Sequence, residues 1–254
     1  MNWDVPTADL LAILLGAART GAWLMISPPF NSRFIPGTVK ALLSVALTLP
    51  LAPYLRGTVP SLATADIVAS AALQVFVGAA LGFITALLFA AIQAAGDLLD
   101  LFGGFTLAMG YDPLSLNQSS VFGRFYNLVA VTILFATDGH QVILRGFLQS
   151  FKTMPLNLTF DLSTYSQLLL KGIGEMFLAA LQIAGPLVVV LFLTDVAFGL
   201  LNRVAPALNA FQLGFPAKIF LVLLLSGIAI TTLPQVIEAL VDRSVTAVLK
   251  LTGG

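Results

Sequence analysis

Asp97 and Asp100 stand three residues apart in otherwise apolar sequence, a spacing that places both on one face of a helix. Paired carboxylates in apolar surroundings can share a proton, either as a catalytic dyad or as a step in a proton relay. The intramembrane aspartyl-protease pattern needs a glycine two residues before Gly96, where this chain has Ala94. It also needs a Tyr-Asp pair before the Gly-Asp pair, and Tyr111-Asp112 follows Gly96-Asp97. A polar helix end at the edge of an assembly contact accounts for the two carboxylates without chemistry, with proton coupling as the other reading. His140 is the single histidine, so the chain alone cannot build an H-E-x-x-H or His-cluster metal site. Beside Asp138 and Gly139 it reads as the cap of a helix C-terminus. Ser119-Ser120 has no general base at a recognisable spacing, no G-x-G-x-x-G follows a strand, and no P-loop is present. The expectation is a protein that is not an enzyme and that needs no metal and no cofactor.

The elements that must position these residues are oily. Of 254 residues, 58% are hydrophobic and 9% charged, with mean hydropathy +0.98, whereas soluble domains carry about 25% charged residues. Twelve basic and twelve acidic side chains cancel, so no polyanion-binding surface and no nucleic-acid role are implied. Cysteine is absent, which excludes disulfides and thiolate metal sites. No Lys or Arg precedes Arg19, so a signal-peptide n-region is lacking and the first apolar stretch is expected in the mature protein. Six apolar runs of roughly membrane length follow, at 9–29, 39–55, 67–95, 121–137, 173–201 and 215–241. They predict one all-α, membrane-associated body of helical hairpins with about six long apolar helices, broken by Pro and Gly. The first two runs read as a hairpin turned by Pro28, Pro29 and Pro36.

At about 1.5 Å per residue, the run 67–95 reaches roughly 43 Å, longer than a hydrocarbon core of about 30 Å. Gly78, Gly82, Ala86, Ala90 and Ala94 recur every four residues along it, a small-residue face that lets two helix backbones approach closely. Whether that face packs within the chain or on another subunit is open from sequence. The stretch 93–124 then breaks the pattern: Gly103, Gly104, Gly110 and Pro113 stop any helix, while Phe105, Leu107, Met109, Tyr111 and Leu114 keep it greasy. Such a segment between membrane-type helices is tolerated where protein or a water-filled cavity surrounds it. A connection from Asp138 to Lys171 reads as longer and more polar. Arg19, Glu175 and Asp195 lie inside apolar runs, and a charge at such a place costs about 3 kcal/mol unless a partner or water meets it. Basic residues flanking the runs fall five on one side and six on the other, so the positive-inside rule selects no topology.

Several short motifs together resemble one family. They are Arg19 through Pro36, the run Ala91 to Asp100, Gly104-Phe105 with Asp112-Pro113, Gly123-Arg124-Phe125-Tyr126-Asn127-Leu128, Asp138-Gly139-His140, and Asn202-Arg203-Val204-Ala205-Pro206 through Phe215-Pro216. In order and length they are similar to the flagellar FliR family, whose injectisome relatives are the export-gate T subunits of type III secretion. The resemblance implies a single export-gate domain over 1–254, with 1–200 similar to the P subunit and 201–254 ending a hairpin similar to the Q subunit. It implies a bacterial inner-membrane protein of the flagellar basal body. Its partners would be FliP-like and FliQ-like gate subunits, a FlhB-like switch protein and unfolded secretion substrates, moved by the proton motive force. It further implies a pore plug at 105–118, formed by Phe105, Thr106, Leu107, Met109, Tyr111, Asp112, Pro113, Leu114, Ser115 and Gln118. Arg19, Arg33, Gly78, Gly82, Asp97, Asp100, Arg124, Asp195, Arg203 and Lys218 are the expected subunit-packing or gating contacts. The competing reading is a proton-coupled secondary transporter of a small solute, with helices broken at Gly103-Gly104 and Pro186.

Overall fold

A computed structural model describes residues 7–60, 63–106, 120–157, 162–206 and 210–251. They are helical, with no strand among the described residues. The helices are α1 (Thr7–Ile26), α2 (Gly37–Thr48), a short α3 (Ala52–Leu55), α4 (Thr64–Gly103), α5 (Val121–Ala136), α6 (Gly139–Thr153), α7 (Leu162–Val204), α8 (Ala210–Ile230) and α9 (Leu233–Leu251). Five helical stretches are long and apolar enough to cross a membrane, and a sixth if α5 and α6 count as one broken span.

The chain divides into two compact units. The first holds Met1–Leu88, His140–Ile173 and Val241–Gly254. In it α1 stops at Ile26 because Ser27 precedes Pro28, which disfavours the helical conformation of the residue before it. The turn is then closed by Asn31, whose Nδ2 donates to Ile26 O at 3.1 Å. Pro36 opens α2, and Pro50 and Pro53 sit in the first turns of the short helices after it, where a missing N–H is harmless. Trp23, almost fully buried, stacks on Phe147 with centroids 4.4 Å apart, and Phe147 meets Phe151 edge-on. Gly78 and Gly82 of the small-residue face bring α4 onto α1. A Cβ on Gly78 would lie 2.9 Å from the Arg19 carbonyl carbon, and one on Gly82 would lie 3.1 Å from Trp23 O.

The second unit holds Phe89–Gly139 and Gly174–Leu240. There α4 crosses α5 so closely that a Cβ on Gly96 would lie 2.6 Å from Gly123 N. Leu99, Tyr126, Ala130 and Leu134 fill the space around that crossing. The long α7 accommodates Pro186 internally, which leaves the carbonyl of Gln182, four residues back, without its helical N–H. The sixth expected run is split: Thr231 and Thr232 donate their hydroxyls to Ile228 O (2.7 Å) and Ala229 O (2.8 Å), ending α8 before α9 begins at Leu233-Pro234.

The structure corrects two expectations. The polar connection after Asp138 contains α6, an amphipathic helix whose Ile143, Phe147 and Phe151 are buried at a spacing of four. It was invisible to a search for membrane-length apolar runs because its other face carries Gln141, Arg145 and Lys152. Accordingly, His140 lies in the first turn of α6 and caps no C-terminus. Asp138 ends α5 by taking a left-handed conformation (φ 57).

Candidate functional site

The stretch 93–124 resolves into two anchored ends. At the first, α4 continues through Asp97 and Asp100 to Gly103, so the carboxylates do share a helix, but their settings differ: Asp97 is exposed and Asp100 is 1% exposed. Asp100 Oδ2 accepts a short hydrogen bond from Ser120 Oγ and another from Phe122 N at 3.0 Å. Ser120 is the N-cap of α5, and its hydroxyl oxygen accepts from Gly123 N at 2.8 Å. One buried carboxylate and one hydroxyl thus satisfy two of the N–H groups that a helix start leaves unpaired, and the negative charge suits the positive end of the helix dipole. Asp100 Oδ1 is buried and has no hydrogen-bond partner among the described residues. Asp97 presses on Gly123, where any side chain would collide with its carboxylate. Asp100 is thereby engaged in holding backbone, a positioning role.

After Asp100 the chain leaves α4 at Gly103 and Gly104. Gly104 takes φ +83, a conformation that L side chains rarely adopt, and a Cβ there would also lie 3.1 Å from the Phe215 ring of α8. A Cβ on Gly103 would lie 2.7 Å from Val222, which is fully buried. Phe105 then meets Phe122 edge-on at 5.3 Å, and Phe122, Phe125 and Tyr126 continue the aromatic row along α5. Both ends of 105–120 are therefore fixed within one unit. Of the residues expected to form the plug, Phe105 is half-buried and Thr106 exposed. Leu107, Met109, Tyr111, Asp112, Pro113, Leu114, Ser115 and Gln118 lie outside the described residues.

The remaining expected contacts fall elsewhere. Arg19 is fully buried in the first unit. Its Nε donates to Gln74 Oε1 at 2.7 Å, one terminal nitrogen donates to Met154 O at 2.9 Å and the other to Ser150 O at 3.5 Å. The guanidinium lies 4.4 Å over the Phe151 ring, and Gln74 Nε2 donates onward to Leu156 O at 3.1 Å. The cation thus ties α1 and α4 to the carbonyl end of α6, where a positive charge is favoured. In the second unit Lys218 of α8, mostly covered, forms an ion pair with Asp195 of α7. Arg33, Arg124 and Arg203 are exposed, Arg203 in the last turn of α7.

Three partners escaped the sequence reading. Ser120 was weighed as a nucleophile, although a Ser directly before an apolar helical run is a capping signal. Gln74, a polar residue inside the longest apolar run, marks a buried partner in the way that Arg19 does. Gly123 carries no signal of its own. Among the described residues no group of three or more His, Asp or Glu side chains could hold a metal.

An all-helical chain with five or six helices of membrane-crossing length, its breaks stabilised by capping and close glycine contacts, is a membrane protein by construction. Residues 10–244 match the family of bacterial export proteins, family 1, and the chain belongs to that family. It is 33% identical over 223 residues to the flagellar biosynthetic protein FliR of Pectobacterium carotovorum, covering 87% of this chain and 85% of the relative. It is 30% identical to the FliR of Bacillus subtilis over 82% of each chain. With the FliR of Escherichia coli K12 it shares 31% identity over 78% of this chain and 76% of the relative.

Proposed function

We propose that the chain is a subunit of the flagellar protein-export gate in the bacterial inner membrane. With FliP-like and FliQ-like subunits and a FlhB-like switch protein it forms the pore for unfolded substrates, and its segment 105–118 plugs that pore at rest. The observation that carries the reading is the anchoring of both ends of that segment, Gly104 against Phe215 and Ser120 on Asp100. A plug needs a fixed base, and the contacts at Gly104 and Ser120 supply one on each side of the segment. The part over 1–200 plays the P-like role and the end of the last hairpin, 201–254, the Q-like role. Membership of the export family and likeness to FliR proteins support the flagellar assignment.

The small-solute transporter draws less support. Of its candidate coupling carboxylates, Asp97, Asp100 and Asp195, two have structural partners, Asp100 in the cap of α5 and Asp195 in the ion pair with Lys218, while Asp97 is exposed. Two experiments test the proposal. The chain should co-purify in a larger complex and move no solute when reconstituted alone, and solute uptake by the lone chain would contradict it. A photo-reactive residue at Thr106, exposed at the base of the segment, should cross-link to an export substrate stalled in passage. Cross-linking only to lipid would remove the segment from the pore.

A further inference from the structure

The corner where α4 meets the start of α5 holds more acid–base groups than a helix cap needs. Asp100 accepts through Oδ2 from Ser120 Oγ and from Phe122 N, while its Oδ1 is buried with no hydrogen-bond partner among the described residues. A buried charge is costly unless it is compensated, and here the compensation stops at one oxygen.

Asp97, one turn earlier on the same helix, is exposed. A Cβ placed on Gly123 would collide with Asp97 Oδ1 and lie 2.5 Å from Ser120 Oγ. The missing side chain of Gly123 therefore leaves both oxygens facing one small space, at most a single bridging water wide. A serine hydroxyl has one proton and two acceptor lone pairs. Ser120 Oγ gives its proton to Asp100 Oδ2 and one lone pair to Gly123 N at 2.8 Å, which leaves the second lone pair for Asp97. An exposed carboxylate, a hydroxyl and a buried carboxylate thus stand in a row.

α5 and α8 are packed on this corner, α8 through Phe215 and Val222. Their ionisable side chains are Arg124, which is exposed, Tyr126, which is buried, Asp138 at the far end of α5, and Lys218, which pairs with Asp195 of α7.

We propose that Asp97, Ser120 and Asp100 form a proton relay into this corner. A proton taken from water by Asp97 passes to Ser120 Oγ as the hydroxyl proton of Ser120 passes to Asp100 Oδ2. The hydroxyl is regenerated, Asp97 becomes the anion and Asp100 the neutral acid, so protons and charge balance. The negative charge has then moved from the buried cap to the exposed end of the row. Phe122 N loses a charged acceptor and the positive end of the α5 dipole loses its counter-charge, which loosens the first turn of α5. Rows of proton-carrying side chains are how protons pass within membrane helices. The relay does not depend on what residues 105–118 do.

The full chain in its assembled complex, placed in nanodiscs, is read by infrared spectroscopy as the pH is lowered. A protonated-carboxyl band should appear, and it should be lost in Asp100→Asn. Its shift on transfer to deuterated buffer should be about 100-fold slower in Ser120→Ala and in Asp97→Asn. Ser120→Thr, which keeps the hydroxyl, should shift at the unaltered rate. As the band grows, the amides of Phe122 and Gly123 should exchange faster relative to the rest of α5. Where Asp100→Asn assembles poorly, the Ser120→Ala and Ser120→Thr pair decides. No band that depends on Asp100 at any pH at which the complex stays intact would overturn the proposal. So would equal deuterium shifts in Ser120→Ala and Ser120→Thr, which would confine Ser120 to capping.

Discussion

Helices of similar oiliness end in opposite circumstances. In α4, 61% of the most apolar window is buried, while in α7 the share is 22% and in α8 it is 17%. The difference lies in side-chain size. Gly78, Gly82 and Gly96 let α4 approach the backbones of α1 and α5, so that protein replaces lipid along it. Phe177, Leu181, Phe192 and Leu193 of α7 and Phe220, Leu223 and Leu224 of α8 are at least half exposed among the described residues. Hydropathy says that a segment leaves water, and small residues say that it meets its own protein. The helices around Arg19 are completed by this chain, whereas the α7–α8 hairpin awaits lipid or other subunits.

The contrast can be broken at Arg19. Arg19→Met removes the buried donors to Gln74 Oε1 and Met154 O together with the cation over Phe151, and should destabilise the purified chain by about 3–5 kcal/mol in thermal unfolding. Unchanged stability would mean that water reaches this site. A bulky residue on the close-packed helix comes next: Gly78→Val should cost about 3 kcal/mol, because Arg19 and Ala22 of α1 leave it no room. Gly199→Ala on α7 meets nothing within 4 Å and should stabilise the free chain by about 0.5–1 kcal/mol. Equal effects at the two glycines would erase the distinction between finished and unfinished helices. At the anchored turn, Asp100→Ala removes the acceptor for Ser120 and Phe122 N and should cost about 1–2 kcal/mol, with faster hydrogen exchange confined to the first turn of α5. The smallest effect on folding is expected on the open hairpin. Phe192→Ser or Phe220→Ser should shift detergent stability by less than about 0.5 kcal/mol yet reduce recovery of the chain in its complex. A large loss of stability there would show that the face is already covered.

Much of this was legible in the residues. The hairpin at Pro28 and Pro36, the long α4 and its small-residue face follow from local rules of proline, periodicity and size. Arg19 could be seen as an oddity in an oily run, but its partners lie 55 to 135 residues away in sequence, so no local spacing could name them. The helix α6 was missed because its apolar stripe is one-sided and short of membrane length. The two aspartates suggested chemistry through their spacing, and only the fold shows that one of them is occupied by the N-terminus of α5. Arg33, Arg124 and Arg203, grouped with Arg19 as assembly contacts, stand exposed.

Ion conductance of the assembled complex carrying a deletion of residues 107–115 tests the central claim most directly. The anchors at Gly104 and Ser120 remain in that variant, so assembly should be intact while the resting complex leaks ions. A deletion that assembles and stays as tight as the unaltered gate would contradict the claim that this segment closes the pore.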